Sequence, residues 1–378
     1  MVISNEKKKI NLALQGGGAH GAYSWGTLDR LLEEDNFIID GVSGTSAGAM
    51  NAAILVSGYN KGKNIGAKEA LEKFWKKIGE VGAYSPLHKN PFDRFLTGWN
   101  MDLSPTYHFF DLLSRLFSPY DLNPFDYNPL RGVVEDMVDF DLVTSCKDIK
   151  LYIATTHVKS GQVRVFDNKE INIDVIMASA CIPFLFKAVE IDGEEYWDGG
   201  YMGNPVIWPL IYNTSSDDVL LVQINPLFRE ETPRTAYEII DRVNEINFNS
   251  SLSAEMRAID FVSRLIRRGK LSADEYKDVR MHVIFPPEEM KKLNASSKMN
   301  ADLDFFRYLH KIGYDAADDW LRKNWNDVGK KSTLNIRDTF LCGCTGNDKE
   351  NITEKVHKKV DAGKVSSAEK KKAVRKAG

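Results

Sequence analysis

The sequence predicts an α/β protein with a central, mostly parallel sheet and crossover helices. Three observations carry that expectation. The apolar run Ile10 to Gln15 enters a glycine loop, Gly16-Gly17-Gly18-Ala19-His20-Gly21, and a helical pattern through Leu28, Leu31 and Leu32 follows. A second apolar run, Phe37 to Val42, ends in Ser43-Gly44-Thr45-Ser46-Ala47-Gly48 and gives way to a helix of small residues, Ala47 to Val56. Strand, loop and helix repeated in this order open a sheet with crossover connections. Further on, Val219 to Ile224 is a continuous apolar strand, and a long helical periodicity comes after it.

The remaining elements follow in order. Glu69 to Ile78 reads as a helix. Leu151 to Thr155 and Val163 to Phe166 read as strands, with Gly161 at the turn between them. Asp174 to Cys181 is helical and stops before Pro183. Val189 to Ile191 and Glu195 to Trp197 flank Asp192-Gly193, a hairpin signal. The periodicity of Ile239, Ile240, Val243 and Ile246 starts a helix that runs to about Arg268. Met281 to Phe285 is a late strand and Leu303 to Trp325 a late helix. The stretch from Ala83 to Leu130 differs in character, dense in proline and in aromatics such as Phe92, Phe95, Trp99, Phe109, Phe110 and Phe125. It is too apolar for a linker and too broken for one long element. It is expected either to wall or cover an acyl pocket or to complete the core. The catalytic core is placed at 9–285, a helical extension at 286–339, and a lysine-rich, disordered tail at 340–378.

Bulk composition excludes several classes. The chain has 378 residues, 43% hydrophobic and 27% charged, with a net charge of −3. No global positive field recruits nucleic acid. Four cysteines are too few and too scattered for a disulfide framework, so free thiols in a reducing compartment are expected. Cys342-Gly-Cys344 lacks the second ligand pair of a zinc site, and no metal or cofactor is expected. The apolar stretch after Lys7 to Lys9 is too short for a signal peptide, and no run reaches the roughly 20 apolar residues of a membrane span. The expectation is a cytoplasmic protein whose basic tail is a solvated end, with contact to anionic membranes as the alternative role.

The chemistry concentrates in three places. Gly44-Thr45-Ser46-Ala47-Gly48 fits the G-x-S-x-G elbow, in which a tight strand-to-helix turn strains a serine and exposes its Oγ. Gly16, Gly17 and Gly18 leave backbone N–H groups free to converge on an oxyanion. The same loop also matches the dinucleotide spacing G-x-G-x-x-G at Gly16, Gly18 and Gly21, with Asp40 as the acidic residue, so a nucleotide-binding module is a competing reading. A serine nucleophile needs a base. His282, His310 and His357 follow the elbow in triad order, but none stands in a glycine-rich motif. Trp197-Asp198-Gly199-Gly200 offers a carboxylate with backbone freedom around it, or simply a turn.

Gly-Gly-Gly-x-x-Gly after the first strand, Gly-x-Ser-x-Gly some thirty residues later and Asp-Gly-Gly well downstream together resemble the patatin-like phospholipase family, over roughly Leu12 to Pro226. The resemblance implies a three-layer α/β/α fold and a Ser46–Asp198 dyad with no histidine. It implies Gly16, Gly17 and Gly18 as the oxyanion loop, with Asn204-Pro205 as part of the pattern. It implies a lipid or acyl-ester substrate. One position departs. Family members usually carry Lys or Arg two residues after the third glycine, and this chain has His20, a weaker electrostatic support or, in a further reading, a base for Ser46. Within the family, Ser118 to Pro124 and Asn225-Pro226 are similar to a bacterial group found beside hydroxybutyrate metabolism, which implies a hydroxyalkanoate ester or polyester as an alternative substrate.

Overall fold

Eight strands form one sheet in the order β5-β6-β3-β2-β1-β7-β8, with β4 paired to β3 off that path. They are β1 (Lys8–Leu14), β2 (Phe37–Gly44), β3 (Lys150–His157), β4 (Val163–Asp167), β5 (Val189–Ile191), β6 (Glu194–Asp198), β7 (Asp218–Val222) and β8 (Arg280–Ile284). This is a computed structural model, and it describes residues 6–85, 98–102 and 104–341. The central strands β3, β2, β1, β7 and β8 are parallel, while β4 and β6 each pair antiparallel with β3, and β5 pairs antiparallel with β6. The sheet is therefore mixed and mostly parallel, as the sequence predicts. The hairpin turn at Asp192-Gly193 has positive φ at both residues, the geometry a two-residue β-turn of the right twist needs.

Helices cover the sheet. α1 (Gly21–Leu31) connects β1 to β2, and α2 (Ala47–Gly82) leaves β2 and is kinked at Gly62-Lys63. The kink separates the small-residue helix and the Glu69 helix that the sequence distinguishes. The first half of α2 is buried almost throughout, which is why it is built from Ala, Gly and Ser: larger side chains would hold it off the strands.

The core does not stop at β8. The helix Leu303–Asn324 buries Phe305, Phe306 and Leu309 in the same cluster as Trp25 and Leu28 of α1. Thr27 Oγ1 donates to Gly313 O at 3.3 Å across that crossing. At the far end, the buried Lys8 ammonium donates to the carbonyls of Trp325 (2.6 Å) and Val328 (2.9 Å), a cation where the helix dipole is negative. The region expected as an extension thus closes the central core. One compact unit ends at Leu334 and a second begins at Asn335, where the described residues form a single π-helical turn, Arg337–Leu341. Most of the lysine-rich tail, with Cys342, Cys344 and His357, lies outside the described residues, as do His88, Phe92 and Phe95.

The aromatic stretch divides. Trp99 stacks on Phe305 (5.2 Å between centroids) and Tyr308 (5.6 Å), and Met101 is fully buried, so this part completes the core. The helix Pro105–Leu116 buries none of its side chains, and Phe109 (58% exposed), Phe110 (44%) and Phe125 (93%) face outward. No helix among the described residues is long and apolar enough to cross a membrane.

Candidate active site

Ser46 stands between the end of β2 and the start of α2 with φ 55° and ψ −123°. A non-glycine residue there carries on the order of 1–3 kcal/mol of strain. The surroundings hold it. Thr45 Oγ1 donates to Gly203 O (2.6 Å), and Ser46 N–H donates to Ser179 Oγ (2.9 Å), whose own hydroxyl donates to Ala154 O (2.7 Å). Gly44 and Gly48 flank the turn. A Cβ on Gly48 would lie 2.2 Å from the carbonyl oxygen of Leu14, so only glycine lets α2 approach β1 this closely.

Asp198 reaches Ser46 by sheet register. Gly44 at the end of β2 pairs with Ile153 of β3, and Asp198 at the end of β6 pairs with Thr155. Two residues of strand span about 7 Å, which brings the two strand ends together. Gly200 N–H donates to Asp198 Oδ1 at 2.7 Å within the turn Gly199–Tyr201, and Thr156 Oγ1 donates to Asp198 O at 2.8 Å. Asp198 is 2% exposed. Burial pushes its pKa up to about 7, although the Gly200 N–H, the Ser46 hydroxyl and the Lys298 charge all favour the carboxylate.

The glycine loop presses on the elbow: a Cβ on Gly16 would lie 2.6 Å from Thr45 O and 2.8 Å from Ser46 Cβ. Gly16 N–H donates to Asn204 Oδ1 (2.6 Å), and Gly16 O accepts from Asn225 Nδ2 (2.9 Å). Gly17 O accepts from His20 N–H at 3.2 Å. Of the three glycines expected to line an oxyanion pocket, Gly16 therefore has its N–H committed. Among the described residues, the N–H groups of Gly17 and Gly18 have no protein partner. Gly21 opens α1, and its carbonyl accepts from Asn51 Nδ2 (2.9 Å). Gln15 anchors the loop from below: its Oε1 accepts from the N–H groups of Ile224 (2.8 Å) and Asn225 (2.7 Å).

His20, His282 and His310 are engaged elsewhere. His20 Nε2 bonds Ser297 Oγ at 2.7 Å, and that hydroxyl donates to Asn294 O at 2.7 Å, which puts the ring proton on His20 Nε2. Burial holds His20 well below its ordinary pKa, with Lys298 and Arg229 adding to the effect, so the ring is neutral. His282 lies between Asp218 (2.9 Å) and Thr333 (2.9 Å), and His310 bonds Asp29 at 3.1 Å. Asp40, the acid a dinucleotide site would need, accepts instead from Ser215 N–H (2.6 Å) and Ser216 N–H (2.8 Å) and pairs with Lys9 at 2.8 Å.

A parallel sheet with a strained serine at a strand-to-helix turn places the molecule among the α/β hydrolytic enzymes. The patatin-like phospholipase family model matches residues 12–211, more than half of the chain. The chain belongs to that family and is an esterase or phospholipase of its class. Among solved structures it is similar to VipD from Legionella pneumophila, at 17% identity and TM-score 0.37, covering 84% of this chain and 67% of that one. It is also similar to full-length ExoU of the Pseudomonas aeruginosa type III secretion system, crystallised with SpcU, at 16% identity and TM-score 0.31, covering 84% of this chain and 53% of that one. It thus spans only about half the length of ExoU. No curated protein matches the chain.

Gln15, Ser179 and Lys298 are parts of the site that sequence reasoning did not identify. None stands in a recognisable motif, and each acts through a backbone or side chain distant in sequence.

Proposed function

We propose that the protein hydrolyses lipid carboxylic esters through a Ser46–Asp198 dyad and an acyl-enzyme. Ser46 Oγ attacks the ester carbonyl as Asp198 takes its proton. The N–H groups of Gly17 and Gly18 receive the oxyanion, and the positive end of α2 favours the same charge. Collapse of the tetrahedral species expels the alcohol, which regains the proton from Asp198. Water then attacks the acyl-enzyme with Asp198 again as base, and Ser46 is released with the free acid. The observation that carries this reading is the sheet register that brings the buried Asp198 carboxylate to the strand ends where the strained Ser46 stands, while His20, His282 and His310 are bonded elsewhere. A carboxylate with a pKa about 7 is matched to proton transfer near neutrality. The apolar face of Pro105–Leu116 supports a lipid substrate, since acyl chains are held by apolar walls. The engagement of Asp40 with Ser215, Ser216 and Lys9 weighs against the nucleotide-binding reading. A fluorophosphonate probe tests the proposal. Wild-type protein should be labelled and Ser46→Ala should not. Equal labelling of both, or none of either alongside ATP or NAD binding, would exclude it.

A further inference from the structure

Beyond the segment matched by the family, the turn Ala295–Met299 lies directly against the glycine loop. A Cβ on Gly18 would lie 2.6 Å from the Lys298 carbonyl oxygen, and the neighbouring Ser297 holds His20. Lys298 is partly buried, and its Nζ donates to Asn225 Oδ1 at 2.7 Å. An ammonium can only donate, so this bond decides which end of the Asn225 amide faces it. Nδ2 is thereby turned to Gly16 O. In a trans peptide the Gly16 C=O and the Gly17 N–H point in opposite directions of one rigid plane. Holding the carbonyl therefore aims the Gly17 N–H.

The charge of Lys298 is also directed. Among the described residues its ammonium makes no ion pair, and the carboxylates in its field are Glu245, Asp241 and Asp198. Glu245 is already bridged by Arg229 (2.5 Å) and Arg242 (3.1 Å). Asp241 faces Asp102 and Glu245 as well as Lys298, and burial pushes its pKa up. His20, the nearest titratable group on the loop, is neutral. Asp198 is otherwise surrounded by the neutral thiol of Cys181 and phenol of Tyr201, each pushed up to about 12 by burial.

We propose that Lys298 is a positioning residue of this site: through Asn225 it fixes the peptide plane that presents the Gly17 N–H, and it supplies the positive charge that acts on Asp198. The proposal rests on the dyad reading above. Two roles in one side chain give two separable signatures. Loss of the charge raises the pKa of Asp198, so the acidic limb of the kcat/KM profile moves to higher pH. Loss of the aim lowers kcat at every pH.

The experiment compares wild type, Lys298→Met, Lys298→Arg and Asn225→Ala on a soluble p-nitrophenyl ester across pH. Lys298→Met should lose roughly 10- to 100-fold in kcat, the scale of a misplaced catalytic group, and its limb should move to higher pH. Lys298→Arg keeps the charge and the donor-only contact, and should restore the limb. Asn225→Ala should lose turnover with its limb unmoved, and this arm stands even if Lys298→Met does not fold. A folded Lys298→Met with wild-type kcat and limb would overturn the proposal, as would full turnover in Asn225→Ala. Full turnover in Ser46→Ala would remove the dyad reading and this proposal with it. A Ser46-dependent enzyme indifferent to Lys298 and Asn225 would remove this proposal alone.

Discussion

The glycine loop with its elbow and the helix Pro105–Leu116 are opposite uses of sequence. Gly16 to Gly18 and Gly44 to Gly48 carry almost no apolar side chain, yet most of them are buried, and much of their polar surface is paired with Asn204, Asn225, Gly203 and Ser179. Residues 105–127 are rich in Phe, Tyr and Leu and lie on the surface. Hydrophobicity alone does not place a segment in the core. The parallel strands bring the loop and elbow to one end of the sheet, where the buried backbone groups are paired within the protein and, among the described residues, the N–H groups of Gly17 and Gly18 are left open. The aromatic helix has no sheet face to cover, so its apolar side is left for something outside the core.

The contrast can be broken at several points. The largest effect belongs to the buried side: Ser46→Ala and Asp198→Asn should each reduce ester hydrolysis by on the order of 10³-fold or more, since members of such a unit fail together. Near-wild-type turnover in Asp198→Asn would show that the base lies elsewhere. Next, Phe305→Ala, fully buried and packed on Trp99, should cost about 3–5 kcal/mol in denaturant unfolding. Phe109→Ala on the exposed helix should change stability by no more than roughly 0.5 kcal/mol. Comparable losses in the two variants would end the contrast.

The third effect is a pH dependence. With Asp198 at about 7, kcat/KM should rise as the pH passes upward through that value, because the base must be ionised. Stability should run the other way. The folded pKa lies above the ordinary 3.8, so between these values the unfolded chain sheds a proton that the folded chain keeps. This group's contribution therefore declines as pH rises toward 7. Asp198→Asn removes the penalty, so it should melt at a higher temperature than wild type near about pH 8, with the gap closing toward about pH 4. A gap that widens on acidification would reverse the sign and refute the assignment. The smallest effect falls on the exposed face: Phe109→Ala with Phe110→Ala should alter preference among p-nitrophenyl esters of different chain length while leaving the melting temperature nearly unchanged. An unaltered preference would separate this helix from the acyl-binding region.

Much of this arrangement was legible in the chain. Two short apolar runs ending in glycine-rich turns located β1 and β2, and Asp192-Gly193 located the β5–β6 hairpin, because strands and tight turns depend on residues adjacent in sequence. The serine elbow was readable for the same reason. The periodicity of Ile239, Ile240, Val243 and Ile246 correctly marked a helix, yet these side chains are exposed: period reports conformation, not what lies opposite. The aromatic stretch was ambiguous between core and surface, and the structure divided it at Trp99 and Pro105.

By itself, then, the sequence determined the order of elements, the parallel sheet, and Ser46 and Asp198 as the residues to test. Tertiary structure alone decided that Gly44 and Asp198 lie two positions apart along β3, that Gly16 has its N–H occupied, and that the helix Leu303–Asn324 closes the core against α1. It alone brought Lys298 to Asn225 and the glycine loop. The physical reason is range. Turn chemistry and strand patterning act between neighbours in the chain, whereas desolvation of Asp198 and the direction of a hydrogen bond to Gly16 depend on groups that meet only after the sheet has formed.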